Sequence, residues 1–229
     1  MNIVISIIIF ILLAGLLYLY RIKRQWRQLD HIKTYSFPTS IRDKLLKKHP
    51  QLTPDQMHLV FRALRDYFYM CNQAKRRMVA MPSQVVDDAW HEFILFTRAY
   101  KLFCSKGLGR FLHHTPTEAM SSPTIAQEGI KRAWRLACAK EKINPRSPEK
   151  LPLIFEIDTR LNIENGFRYS LNCRDKNAVH NTADFCAGHI GCTSGCSGDS
   201  GASSDSSDGF FDGLFEGGGS DCGGGCGGD

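Results

Sequence analysis

Several side chains that could serve metal or acid–base chemistry are concentrated in one short stretch of the chain. Asp87, Asp88, His91 and Glu92 lie within six residues of one another. On a helix, residues three or four apart share a face, so either aspartate can lie beside the imidazole of His91. The element that must position them is therefore a helix that begins shortly after Pro82.

A pair of histidines, His113 and His114, follows beyond Gly107 and Gly109. If the chain folds back at these glycines, an imidazole of the pair can meet His91 and an aspartate. Two histidines and one carboxylate suit Zn²⁺, or iron in an open facial arrangement. The sequence thus offers a candidate site for zinc or iron, with Glu92 as a candidate general base. Its candidate ligands are His91, His113, His114, Asp87 and Asp88.

The same residues also have structural explanations. His91 can bond to Asp87 one helical turn away, and the two aspartates complement the helix dipole near the N-terminus. His113 and His114 can bond backbone carbonyls in a loop. The sequence leaves metal binding, acid–base chemistry and a purely structural role open.

A second set of candidate ligands lies near the C-terminus. Thiolate and imidazole groups at such short spacings can surround a tetrahedral Zn²⁺. A glycine-rich segment without a site, or thiols used for lipidation or redox exchange, would give the same pattern. The set comprises Cys186, His189, Cys192 and Cys196, with Cys222 and Cys226 further on.

The N-terminus is apolar enough to cross a membrane. The run from Ile3 to Tyr20 has no charged residue, and as a helix it would span roughly 27 Å. Basic residues follow at once, including Arg21 and Lys23. They predict a single-pass anchor over residues 1–28 with the N-terminus outside and the body in the cytoplasm. The lipid bilayer is then a partner, and the nine cysteines would stay reduced.

The middle of the chain has helical periodicity. Thr53-Pro54-Asp55-Gln56 has the form of a capping box. One apolar stripe predicts a single helix through Val86, Trp90, Phe93, Thr97, Tyr100 and Cys104, with Thr97 on its buried side. Further helices are expected at about 124–140 and 153–163, with a weak strand at 167–171. We predict an all-α domain over residues 30–177.

Charge is divided unevenly along the chain. Residues 178–229 carry seven Asp and one Glu but no Lys or Arg, which gives this segment a charge of about −8. Because the whole chain has a net charge of +6, the preceding residues carry about +14. The C-terminal segment is rich in Gly, Ser and Cys, and we predict a disordered low-complexity tail over residues 178–229. The basic charges lie beside the anchor or between apolar helix positions. Attraction to an anionic membrane surface explains them, and we do not expect nucleic-acid binding.

A family resemblance is visible at the candidate site. The pattern Asp87-x-x-Trp90-His91, followed by His113-His114-x-Pro116, resembles the glycine-rich domain-containing protein family over about residues 35–175. The resemblance implies no settled reaction. It associates plant members with stress and development and with a suggested RNA-binding segment, whose aromatic pattern this chain lacks.

Two functions remain in view from the sequence. The first is a membrane-anchored cytoplasmic helical module for protein interaction or scaffolding, with an unidentified protein partner. The alternative is a metal-binding protein or metal-dependent enzyme that uses the Asp-x-x-Trp-His and His-His segments. Whether the chain is an enzyme is left open.

Overall fold

The computed structural model describes residues 2–114, 123–171, 184–186 and 190. This part of the chain is mostly helical, in agreement with the predicted fold class. Seven α-helices, one π-helix and two short strands occur in it. They are α1 (Asn2–Thr34), α2 (Thr39–Lys48), α3 (Pro54–Gln73), α4 (Gln84–Leu95), α5 (Thr97–Phe103), the π-helix (Cys104–Leu108), α6 (Pro123–Glu141), α7 (Leu153–Arg160), β1 (Arg168–Ser170) and β2 (Asp184–Cys186).

Helix α1 joins the apolar N-terminus to the folded domain without a break. Its N-terminal part is fully exposed, and among the described residues it is the one helix long and apolar enough to cross a membrane. Its C-terminal part is packed: Ile32 is 1% exposed, and the ring of His31 lies 5.8 Å from that of Phe103. The same 33-residue helix therefore has one end that is exposed among the described residues and one end that belongs to a hydrophobic core.

The capping box at the start of α3 is present. The Thr53 hydroxyl accepts a hydrogen bond from the Gln56 amide at 3.3 Å, and the Gln56 side chain accepts one from the Thr53 amide at 2.8 Å. Such a cap satisfies two amides that a helix leaves without partners. Helix α3 then buries its apolar face, in which Leu64 and Phe68 are fully covered.

The single helix predicted through Val86 and Cys104 is instead three segments. Phe96 has ψ near +60°, which ends α4 and starts α5 in a new direction. Thr97 is exposed, and the prediction that it lies on the buried stripe is wrong, because the turn rotates the buried face onto Tyr100 and Phe103. Neither Gly nor Pro marks the break, so the sequence carries no local signal for it.

The chain forms two compact units. The first comprises Met1–Arg76 and Val86–His113, and the second comprises Arg77–Val85 and His114–Asp229. The core of the first is aromatic, with the rings of Phe68 and Phe103 4.7 Å apart. In the second, the rings of Trp134 and Phe155 meet edge to face at 5.1 Å. The predicted domain of residues 30–177 extends over both units.

The predicted short elements of the second unit are also present. Helix α6 covers the segment expected at 124–140, and α7 ends at Arg160, three residues before the predicted end. The weak strand is β1, which pairs in parallel with β2. The described part of the chain therefore contains one two-stranded ladder beside its helices.

Candidate metal site

Helix α4 carries the central residues of the candidate site. Asp87 lies in its first turn, and His91 lies one turn further on. The His91 Nδ1 atom is 3.4 Å from Asp87 Oδ2, so the predicted pairing on one helix face is confirmed. The side chain of His91 is about half exposed and that of Asp87 is 20% exposed, which leaves both within reach of solvent.

A second segment returns to α4 after the π-helix. Gly109 has φ of +68°, which a residue with a side chain rarely adopts, and it ends the helical run there. The Tyr100 hydroxyl then donates a 2.5 Å hydrogen bond to the carbonyl of Leu112. It also accepts one from Nε1 of Trp90, on α4, at 3.2 Å. The backbone just before the histidine pair is thus held on the helix that carries His91.

Three of the predicted ligands converge. Each of Asp87, His91 and His114 offers a ligand atom, and these atoms all lie within 4.8 Å of one another. His114 directly follows the last residue of the first unit, so its backbone continues from the segment anchored through Leu112. His113 is exposed, and its ring lies 4.8 Å from the ring of Phe111. The structure therefore selects His114 over His113 as the second imidazole.

Asp88 is placed on a different face of α4. It is 4% exposed, and its two oxygens contact Nζ of Lys48 at 2.5 Å and Nε2 of His49 at 2.8 Å. Both partners come from the end of α2. The structure therefore gives this predicted ligand a role in joining α2 to α4 and does not bring it into the cluster.

Sequence reasoning missed His49 altogether. This histidine is 7% exposed and lies 39 residues before Asp88 in the chain. No periodic pattern links positions so far apart. The one available signal was a histidine directly after the amphipathic helix α2 and directly before Pro50.

A small pocket lies beside His91. Its volume is about 180 Å³, and it is lined by the C-terminal half of α2, with Lys44 and Lys48, and by α4. Glu92, the candidate base, lies on this pocket, where its Oε2 is 3.0 Å from Nζ of Lys44. Because this carboxylate already faces an ammonium group, it is better suited to joining α2 to α4 than to accepting a proton from a substrate.

The described cysteines are not placed to act as ligands or nucleophiles. Cys71, Cys104 and Cys138 are buried free thiols. Burial raises the pKa of Cys71 and of Cys138 to about 12, so neither forms a thiolate at neutral pH. The prediction of a second ligand set stays untested, because its side chains lie outside the part of the chain that the structure describes. The set comprises Cys186, His189, Cys192 and Cys196.

Comparison with known proteins gives one match. No curated protein and no solved structure matches the chain. A family model described as UCP032817-like matches residues 27–190, which include every residue of the candidate site. That match begins after the apolar part of α1 and covers both units up to β2. The chain belongs to the UCP032817-like family.

Proposed function

We propose that this chain is a membrane-anchored protein whose helical domain binds one divalent metal ion through Asp87, His91 and His114. The observation that carries the proposal is the convergence of these three ligand atoms within 4.8 Å. They come from two segments that are separated by more than twenty residues. Local helical geometry explains the Asp87–His91 pair, but it does not explain the arrival of His114 beside it.

The donor set favours zinc or iron(II). Two imidazoles and one carboxylate supply three protein ligands and leave one or more positions open for water or substrate. The half-exposed side chain of His91 gives solvent access to those positions. A metal ion bound there would act as a Lewis acid on whatever oxygen atom fills the open position.

The ligands are supported by the packing around them. Trp90, between Asp87 and His91 in sequence, is 3% exposed and fixes the rotation of α4 about its axis. Asp88, on a different face of the same turn, joins α4 to the end of α2 through Lys48 and His49. Ligand positions that are set by buried neighbours lose little further conformational freedom when a metal ion binds.

The anchor is supported by the composition and exposure of α1. The helix is apolar over a length that matches a bilayer, and over that length its side chains are exposed within the part of the chain that the structure describes. Because α1 continues into the core of the first unit, the domain would be held close to the membrane. We infer from the basic residues after Tyr20 that the domain faces the cytoplasm.

The test is metal titration of the full chain, purified in detergent without chelators or a histidine tag. We expect binding of Zn²⁺ and of Co²⁺, with a Co²⁺ spectrum that includes an oxygen- and nitrogen-ligated component. His91→Ala should lower the Co²⁺ affinity of this site by about a hundredfold or more, because the site would lose one of its three protein ligands. His58→Ala is the matched control, since His58 is an exposed histidine on α3.

The Co²⁺ spectrum also distinguishes metal bound at this site from metal bound by the cysteines near the C-terminus. Thiolate ligands give a sulfur-to-cobalt charge-transfer band, which nitrogen and oxygen ligands do not. If His91→Ala kept the full nitrogen- and oxygen-ligated signal, the proposed site would be refuted. A well-folded chain that binds no metal would favour the protein-interaction module predicted from the sequence.

A further inference from the structure

We propose that three cations beside α1, close to the end of its apolar run, bind anionic phospholipid headgroups. These residues, Arg24, Lys75 and Arg110, are called the basic collar below. The proposal rests on the part of the proposed function in which α1 spans a membrane. It adds a binding surface and a ligand class that are independent of the metal site.

Helix α1 fixes the height of the collar above the bilayer. The uncharged run ends at Tyr20, and with a rise of about 1.5 Å per residue Arg24 lies roughly 6 Å beyond it. Gln28 lies roughly 12 Å beyond it by the same measure. A headgroup layer is about 5–8 Å thick on each side of the hydrocarbon core. Arg24 therefore falls within that layer, and Gln28 lies roughly 4 Å beyond it.

The segment after the π-helix packs directly against this part of α1. A Cβ on Gly107 would lie 2.9 Å from Cγ1 of Ile32, and a Cβ on Gly109 would lie 2.8 Å from a guanidinium nitrogen of Arg24. The backbone thus approaches the apolar end of α1 as it runs from Gly107 to Gly109. Arg110 follows Gly109 and therefore lies near the level of Arg24 and Gln28. Lys106 precedes Gly107 and lies near the level of Ile32, roughly 18 Å beyond Tyr20 and outside the headgroup layer.

The end of α3 joins the same surface. The Asn72 amide donates to the carbonyl of Gly107 at 2.8 Å and to the side chain of Gln28 at 3.2 Å. Nε of Arg110 donates a 2.9 Å hydrogen bond to the carbonyl of Lys75. These bonds join the end of α3 to α1 and to the segment from Gly107 to Arg110.

The charges of the collar are not neutralised within the described part of the chain. None of its three members forms an ion pair there, and Asp30 is the one acidic residue of α1. Arg24 and Lys75 are exposed. Guanidinium and ammonium groups at headgroup height attract anionic lipid, and this attraction is of the order of a fewfold in concentration for each cation. Three unpaired cations close to the headgroup layer therefore fit the phosphates of anionic phospholipids.

The experiment uses the full chain in vesicles of equal parts phosphatidylcholine and phosphatidylglycerol. The protein is extracted in mild detergent, and mass spectrometry gives the ratio of the two lipids that remain bound. We expect phosphatidylglycerol to be enriched about threefold or more over the vesicle composition. Arg24→Gln combined with Lys75→Gln should bring the ratio close to that of the vesicles, as should 1 M salt, at which the Debye length is about 3 Å.

A matched variant separates the collar from net charge. Lys47→Gln combined with Arg62→Gln removes the same charge from exposed positions on α2 and α3, and it should leave the enrichment unchanged. Equal loss in both variants would overturn the proposal. So would enrichment that appears only when residues 191–229 are deleted, because the acidic C-terminal segment would then occupy the collar.

Insertion itself is measured in the same preparation. A chain that resists alkaline extraction from pure phosphatidylcholine vesicles, yet binds no excess phosphatidylglycerol, would overturn the collar and leave the anchor standing. A chain that fails to insert would overturn the anchor and the collar together. Neither result bears on metal binding by Asp87, His91 and His114.

Discussion

The carboxylate of Asp158 supports the start of the helix that carries the metal ligands. It is 2% exposed and accepts four hydrogen bonds, three of them from the chain just before and within α4. These come from the Ser83 hydroxyl at 2.7 Å, the Gln84 amide at 2.6 Å and the Val85 amide at 3.2 Å. The fourth comes from the Phe167 amide at 2.9 Å. A charge at a helix N-terminus also complements the helix dipole.

We expect Asp158→Ala to lower the free energy of unfolding by about 4 kcal/mol. A hydrogen bond to a charged acceptor contributes about 1.5–3 kcal/mol net, and the cost of burying the carboxylate offsets part of the sum of four. For a chain of this size the loss corresponds to roughly 8–16 °C in melting temperature. Burial raises the pKa of Asp158 and the four hydrogen bonds oppose that rise, so the measurement belongs at mildly alkaline pH.

The measurement is thermal and urea unfolding of the full chain in detergent, followed by near-ultraviolet circular dichroism. Asp158→Asn should cost about half as much, because one amide oxygen can accept two of the four bonds. Glu156→Gln is the control: its 3.9 Å pair with Arg160 is exposed and should be worth less than about 0.5 kcal/mol. A loss below about 1 kcal/mol for Asp158→Ala would refute the role of this carboxylate.

Two further predictions concern the packed end of α1. Burial, and after it the charge of Lys106, lower the pKa of His31 below 6.5. As the pH falls, the imidazole is therefore protonated in the unfolded chain before it is protonated in the folded one. The free energy of unfolding should decrease as the pH drops below 6.5. Unfolding measured across that range should show a shallower fall for His31→Phe, and an unchanged fall would exclude His31 as its source. Gly107→Ala should cost about 1–3 kcal/mol by thermal unfolding, because its Cβ would meet the buried Ile32 at 2.9 Å. Gly15→Ala is its control, since no atom lies within 4 Å of the added Cβ, and equal losses in both variants would contradict the close packing.

Local signals in the sequence were sufficient for several elements. The capping box at Thr53 and the apolar stripe after it predict α3, because helix starts and helical periodicity depend on neighbouring residues. The pairing of Asp87 with His91 follows from helical spacing for the same reason. The break at Phe96 could not be predicted, because it depends on how α5 packs and not on a helix-breaking residue.

Polar contacts between residues that are far apart in the chain could not be predicted from the sequence. Asp158 lies 75 residues after Ser83, and neither residue belongs to a pattern that would mark the other. The hydrogen bond from Tyr100 to the Leu112 carbonyl, which helps to fix the histidine segment, is equally invisible in periodicity. Such contacts satisfy buried polar groups, and their partners are decided by which elements meet.

The two adjacent aspartates of α4 show most directly what the fold adds to the sequence. Successive residues on a helix point about 100° apart, so Asp87 and Asp88 cannot both face His91 in the same way. Helix α2 covers one of these directions, and there Lys48 and His49 take up the carboxylate of Asp88. The other direction stays open to solvent and to the returning chain, where Asp87 meets His91 and His114. The choice of ligand is therefore made by the position of α2, an element more than thirty residues away in sequence.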